Sequence, residues 1–187
     1  MKHVALPGTI RVTGTKADIR NVRKDGKVPC IIYGNGIENT TFAVEAKELA
    51  LILSSPDSHL IDLDIDGKKV CAVLREVQFH PVNDKALHAD FFAVSEDKPI
   101  VIDVPVRIYG NSEGVKLGGK LNVSVRKLRV SALMANLPDE LPVDVTNLKI
   151  GKRINAGDLH YDNVTILTPK SIIVCSVKST RNAVEAE

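Results

Sequence analysis

Tryptophan is absent from this chain, and all aromatic residues together make up only 4% of its 187 positions. A core without large rings must be filled by Val, Ile and Leu, whose branching favours strands. Cysteine is sparse as well: Cys30, Cys71 and Cys175 stand far apart in apolar surroundings. An odd, scattered set gives neither a disulfide framework nor clustered zinc ligands. The expectation is a chain with no metal and no cofactor, suited to a reducing cytoplasm. Long hydrophobic runs are missing too. The longest aliphatic stretch, Leu49 to Leu53, is far too short to span a bilayer, and the opening MKHVALPGTIRV has no apolar signal core. No membrane partner is expected. Nor is there a large excess of one charge, since 25 basic side chains face 23 acidic ones. With 44% hydrophobic and 26% charged residues, the composition excludes wholesale disorder.

Catalytic signatures are equally scarce. No Gly-x-Ser-x-Gly elbow or paired acid/base carboxylates stand out. The segment GVKLGGKL (114–121) satisfies the first half of a phosphate-binding loop, but Leu121 occupies the position that must supply a magnesium-binding hydroxyl. The sequence after it, LNVSVRKLRV, alternates like a strand, where the loop requires a helix N-terminus facing the phosphate. Neither an enzyme nor a small-molecule substrate is expected. In HPVNDKALHADF (80–91), His88 and Asp90 lie two apart on a strand and so share a face, with Ala89 on the other. That geometry suits a metal or a polar platform for a partner; without a third ligand at short spacing, the platform is favoured. His3, His59 and His160 have no convincing companions in the sequence, and Asp62, Asp64 and Asp66 read as a solvated strand face.

What the chain does have is concentrated positive charge. Between residues 11 and 36, Arg11, Lys16, Arg20, Arg23, Lys24 and Lys27 stand against only Asp18 and Asp25. The basic stretch runs into an apolar strand ending at Tyr33-Gly34, the arrangement a polyanion-binding surface requires. Residues 1–95 are neutral overall but polarised. SEDKP (95–99) is a polar junction, which puts one domain at 1–95, a second at 96–180 and a flexible tail at 181–187.

In the first half, TKADIRNVRKDG reads as a short helix stopped by Gly26, VPCIIYG as a buried strand and EAKELALILSS as a second helix. HLIDLDIDGKKVCAVLREVQF reads as a hairpin turning at Asp66-Gly67, and LHADFFAV as a further strand. The second half is nearly all strand: IVIDVPVRIYG, KLNVSVRKLRV, LPVDVTNL, VTILT and SIIVCSV, with INAGDLHY hinting at a helical turn. VPCIIYGN and VPVRIYGN share a pattern, but nothing around the two copies matches, and coincidence is favoured over duplication. The fold class is mainly β with some α: an N-terminal β-barrel-like domain with two or three short helices, then an all-β C-terminal domain.

Three sequence-distant pieces could then form one surface: the basic stretch from Arg11 to Lys24, Tyr33, and the His88/Asp90 strand. Arg and Lys neutralise phosphates, and Tyr and His stack or bond sugar hydroxyls. A carboxylate repels phosphate, so Asp90 points to reading a particular RNA shape: it would accept from base amino groups or 2′-hydroxyls, or hold a basic neighbour.

These pieces, in order, resemble the bacterial large-subunit ribosomal protein family numbered twenty-five, which binds 5S ribosomal RNA, in its long two-domain form, also called the general stress protein (CTC) family. The marks are the R-x(8)-R-x-x-R pattern at Arg11, Arg20 and Arg23, then G-K-V-P-C-I-I-Y-G, V-Q-F-H-P and L-H-A-D-F, then VPVRIYGNSEGVKLGGKL and LPDELPVDVTNLKIG in the second half. The resemblance implies a barrel-like domain docked in the widened minor groove of an irregular internal loop of 5S rRNA. It implies contacts from Arg11, Lys16, Arg20, Arg23, Tyr33, Gln78, His88 and Asp90, and a ribosome-bound location in the cytoplasm. For the second domain it implies contact with neighbouring ribosomal proteins and rRNA of the large subunit. Departures from the family pattern are Thr15-Lys16-Ala17 where Gly-Lys-Gly is frequent, Asn21 and Phe79 where basic residues are common, and Asp18 within the basic helix. The alternative is a stress-related protein-interaction module with secondary RNA binding.

Overall fold

The structure is a computed structural model that describes residues 2–12, 14–55, 57–95 and 97–180. The tail expected to be flexible, 181–187, lies outside the described residues. Backbone packing divides the chain into two units meeting at Ile100/Val101.

The first unit is a closed six-stranded barrel. Its strands are β1 (His3–Ile10), β2 (Lys27–Gly34), β3 (Ile37–Glu45), β4 (Leu60–Ile65), β5 (Lys68–Phe79) and β6 (Ala86–Ala93). They close in the order β1-β3-β2-β6-β5-β4. The β1–β4 and β2–β6 pairs are parallel and the others antiparallel. Closure leaves no unpaired sheet edge. Alternation fixes which side chains point inward. Leu6, Cys30, Ile32, Phe42, Ile61, Leu63, Ala89 and Phe91 are buried in one core, where the Phe42 and Phe91 rings lie 5.6 Å apart. Helix α2 (Ala46–Ser54) adds Leu49 and Ile52 to that core.

Helix α1 (Lys16–Lys24) starts at a capping box in which the Thr15 backbone N–H and hydroxyl donate to the Asp18 carboxylate at 2.7 and 3.0 Å. Asp18 is therefore the residue that begins the helix, satisfying groups that an N-terminus otherwise leaves open. Its place among basic residues reflects that role. Gly26, at φ +76°, follows the helix. The β4–β5 hairpin turns at Asp66 (φ +48°) and Gly67 (φ +88°), the paired positive angles of a tight right-twisting hairpin. Asp64 and Asp66 do more than face solvent: Asp64 accepts from the Gly67 N–H and Asp66 from the Ile10 N–H, each at 3.0 Å.

Strand β3 has no counterpart in the sequence reading. IENTT is polar and mostly exposed, and only Phe42, Ala43 and Val44 are buried. Backbone pairing with β1 on one side and β2 on the other makes the strand, so the apolar pattern is a poor guide to it.

In the second unit, a four-stranded sheet has the order β10-β7-β9-β12 and a three-stranded sheet the order β11-β13-β8. The strands are β7 (Ile100–Tyr109), β8 (Lys120–Val123), β9 (Lys127–Ala132), β10 (Leu141–Asp144), β11 (Arg153–Asn155), β12 (Thr165–Ile166) and β13 (Ile173–Lys178). The expected single strand KLNVSVRKLRV is two. The N–H groups of Ser124 and Val125 both donate to the Val174 carbonyl, and the Val106 N–H then takes the Arg126 carbonyl at 2.8 Å. The run thus serves both sheets. The VPxxIYGN segments run along β2 of the barrel and β7 of the second unit, and each has a positive-φ glycine before its final asparagine, Gly34 or Gly110.

The phosphate-loop lookalike also has a structural reason for its glycines. A one-turn helix, α3 (Glu113–Lys116), at a place where no helical turn is expected from the sequence, begins the segment. A Cβ on Gly114 would lie 2.7 Å from the Ile150 nitrogen, and one on Gly119 would lie 2.7 Å from the Gly114 carbonyl oxygen and from Val177 Cγ1. The glycines permit close packing. Among the described residues no helix is long and apolar enough to cross a membrane.

Candidate nucleic-acid interface

The outward face of β6 is the centre of the candidate site. Ala89 is fully buried between His88 and Asp90, which are half-buried and joined by a 2.8 Å contact from His88 Nδ1 to Asp90 Oδ1. The expected shared face is present, and Asp90 holds the imidazole in one orientation. Strand register then recruits neighbours. Gln78 on β5 is directly opposite His88, and Glu76 is opposite Asp90. On the other side, β2 places Ile31 beside Asp90 and Tyr33 beside Phe92.

Tyr33 is half-buried, less exposed than a free stacking platform. Its ring meets Phe92 edge to face, with centroids 5.9 Å apart and planes at 79°. This geometry suits aromatic quadrupoles and fixes the tyrosine. Gly34 permits it: a Cβ there would come within 2.5 Å of the Phe92 ring. Asn35 closes the corner by donating to the Ala93 carbonyl at 2.7 Å.

The basic helix is tied to the same strand. Arg23 donates from Nε and Nη2 to the Leu87 carbonyl at 3.1 and 2.8 Å, one residue before His88. Arg23 is therefore an anchor between α1 and β6 as well as a positive charge. Lys16, Arg20 and Lys24 recur every four residues along α1 and are exposed, while Ile19 and Val22 form its half-buried side. Asn21, at a commonly basic position, is exposed on this helix.

Arg11 follows β1 and is locked to β3: its N–H donates to the Thr41 carbonyl at 3.0 Å, and the Thr41 hydroxyl donates to the Arg11 carbonyl at 2.8 Å. Its Nε is buried and meets no hydrogen-bond partner among the described residues. Arg11 and Asp90 lie within electrostatic reach of one buried thiol. Burial pushes Cys30 up to about 12, the Ala89 backbone and Arg11 pull it down, and Asp90 pushes it up. The structure thus gathers Arg11, Arg23, Tyr33, Gln78, His88 and Asp90 around β2 and β6, with Lys16 and Arg20 exposed on the adjoining helix.

Residues missed by sequence reasoning are Phe92, Glu76 and Asn35. Phe92 was signalled by period two, since it continues the face of His88 and Asp90. Glu76 could not be placed without the register of β5, which shifts between Leu74 and Glu76 and again between Gln78 and Phe79. Phe79, where an arginine is common, is half-exposed just beyond Gln78. Two histidines without companions in the sequence gain them in the fold. His3 contacts Asp62 at 3.1 Å, and His59 lines a shallow pocket with Glu48.

The first of two strand-built units thus joins a closed barrel to a basic helix and a polar outer face. The model of the Ribosomal L25p family matches residues 6–91, and that of the ribosomal protein TL5 C-terminal domain matches residues 99–181. Proteins named large ribosomal subunit protein bL25 are similar over nearly the full length. The one from Phocaeicola vulgatus is 43% identical, covering 98% of this chain and 96% of that protein. That from Bacteroides thetaiotaomicron is 42% identical (98% and 95%), and that from Porphyromonas gingivalis 40% identical (98% and 96%). The chain belongs to the ribosomal L25p family, a family of structural ribosomal proteins and not of enzymes.

Proposed function

We propose that this chain is a structural constituent of the large ribosomal subunit that binds 5S rRNA through the outer face of its barrel. Membership of the family, and the names its relatives carry, support assembly into the large subunit. The observation that carries the RNA reading is the joining of a basic helix to a polar strand: Arg23 on the Leu87 carbonyl, beside the His88–Asp90 pair and Gln78.

Each part has a task. Lys16, Arg20, Arg23 and Arg11 neutralise phosphates. Gln78 and His88 offer donors and acceptors to base edges and 2′-hydroxyls in a wide, shallow groove. Asp90 is tolerated in a basic site because His88 engages one of its oxygens, and its remaining lone pairs accept from hydroxyl or amino groups. Binding works by charge neutralisation and shape recognition, stabilising one irregular internal loop. Residues 1–95 form the RNA-binding domain, and residues 96–180 contact other parts of the subunit. The protein acts on the ribosome in the cytoplasm, without cofactor or substrate.

The test is Arg20→Ala in the full chain. Arg20 is exposed and belongs to no buried part of its helix, so the fold is expected to survive. Affinity for 5S rRNA should drop by about 1–3 kcal/mol, the scale of a specific basic contact. Unchanged affinity would remove Arg20 from the site.

A further inference from the structure

Apart from the residues assigned to RNA, the barrel gathers three metal-ligating side chains of different chemistry. His3 (β1), Asp62 (β4) and Cys71 (β5) present ligand atoms that all lie within 4.8 Å of one another. Register explains the convergence. Asp62 and Cys71 are direct partners across the β4–β5 pair, and Asp62 pairs with Ala5 on β1, so His3 is two residues along on the same outward face. Asp62 already engages His3 Nδ1 at 3.1 Å, and Cys71 sits beside it across the strand pair. The His3 and Asp62 side chains are about half exposed, at 48% and 49%, and Cys71 is half-buried, so an ion can enter from solvent.

We propose that His3, Asp62 and Cys71 form a three-ligand site for a zinc-class divalent cation on the outside of the barrel. The donor set argues for the metal. A thiolate with an imidazole and a carboxylate matches zinc and cobalt, and sulfur disfavours magnesium or calcium, which take oxygen ligands. Tetrahedral zinc holds its ligand atoms on the order of 3.5 Å apart, given bonds of about 2.0–2.3 Å. The observed cluster, with its ligand atoms within 4.8 Å of one another, approaches that spacing. On binding, the S–H bond of Cys71 breaks, its proton leaves to solvent, and the thiolate and one Asp62 oxygen both turn to the ion. Three protein ligands leave a fourth position for water. The site uses none of the residues assigned to RNA and stands whether or not that assignment does. Sequence spacing conceals it because the ligands come from three strands.

The test is titration of the full-length reduced protein with Zn²⁺ in competition with a chromophoric chelator, and with Co²⁺ followed by absorbance. One equivalent should bind, with Co²⁺ giving a near-ultraviolet sulfur-to-metal band. Cys71→Ser should abolish that band. His3→Gln, at an exposed position near the chain start, should weaken Zn²⁺ at least about 10-fold, since even outer-shell partners are worth about 10–100-fold. His160→Gln should bind as the parent does. Absence of a sulfur band, or equal Zn²⁺ affinity in the parent and both ligand variants, would overturn the proposal.

Discussion

Gly34 couples the barrel fold to the candidate site closely enough for its substitution to be worked through. Its φ is +106°, and a Cβ there would lie 2.5, 2.8 and 2.9 Å from three carbons of the Phe92 ring. Gly36 provides the control, because it also has positive φ (+79°) but a Cβ there would meet nothing within 4 Å. Gly36→Ala therefore bears only the left-handed backbone cost, about 1–2 kcal/mol. Gly34→Ala bears a similar cost plus that of forcing a ring aside in a packed face, about 1–3 kcal/mol, for a total of about 2–5 kcal/mol. Phe92 cannot move without disturbing its edge-to-face partner Tyr33. Urea unfolding followed by far-ultraviolet circular dichroism, run on both variants, reads the difference. Adding Phe92→Ala should bring the cost of Gly34→Ala down to that of the control, a coupling that a double-mutant cycle isolates. Equal losses for Gly34→Ala and Gly36→Ala would refute the reasoning.

Asp90→Asn should retain most affinity for 5S rRNA but lose discrimination against plain duplex RNA; equal discrimination in variant and parent would refute the accepting role of that carboxylate. Stability should fall at high pH through Cys30. Its thiol, ordinarily near 9.0, is pushed up to about 12 by burial, so both folded and unfolded chains hold the proton below pH 9. Above that the unfolded chain releases it first, and each further pH unit costs about 1.4 kcal/mol. Melting of the parent and of Cys30→Val at pH 8 and 10 checks this: the variant should lose less, and parallel losses would contradict it.

Much of this fold is legible because its signals are local. The helix at 16–24 has a cap, a basic stripe and a terminating glycine, and Asp66-Gly67 carries its own turn chemistry. The buried run at 28–34 and the alternation at 87–94 likewise coincide with β2 and β6. Where a feature depends on partners distant in sequence, the local signal fails. Residues 37–45 form a strand because β1 and β2 flank them, and residues 120–130 split because two sheets compete for them. The site divides the same way. The pairing of His88 with Asp90 follows from period two, and the basic helix from charge. Gln78 entered only through family resemblance, since its place opposite His88 depends on register shifts in β5. Arg23 is legible as a basic residue and an expected RNA contact, but its anchoring to the Leu87 carbonyl depends on the fold. His3, Asp62 and Cys71 could not be joined from spacing at all.

The central claim is specific recognition of 5S rRNA by the barrel face. The direct measurement is a titration of the purified full chain with 5S rRNA and with an equally long plain RNA duplex, each at two salt concentrations. Specific recognition predicts tight binding that prefers 5S rRNA and weakens only modestly at the higher salt. Equal binding to both RNAs, collapsing steeply with salt, would show unspecific phosphate attraction instead and contradict specific recognition in favour of a protein-interaction module.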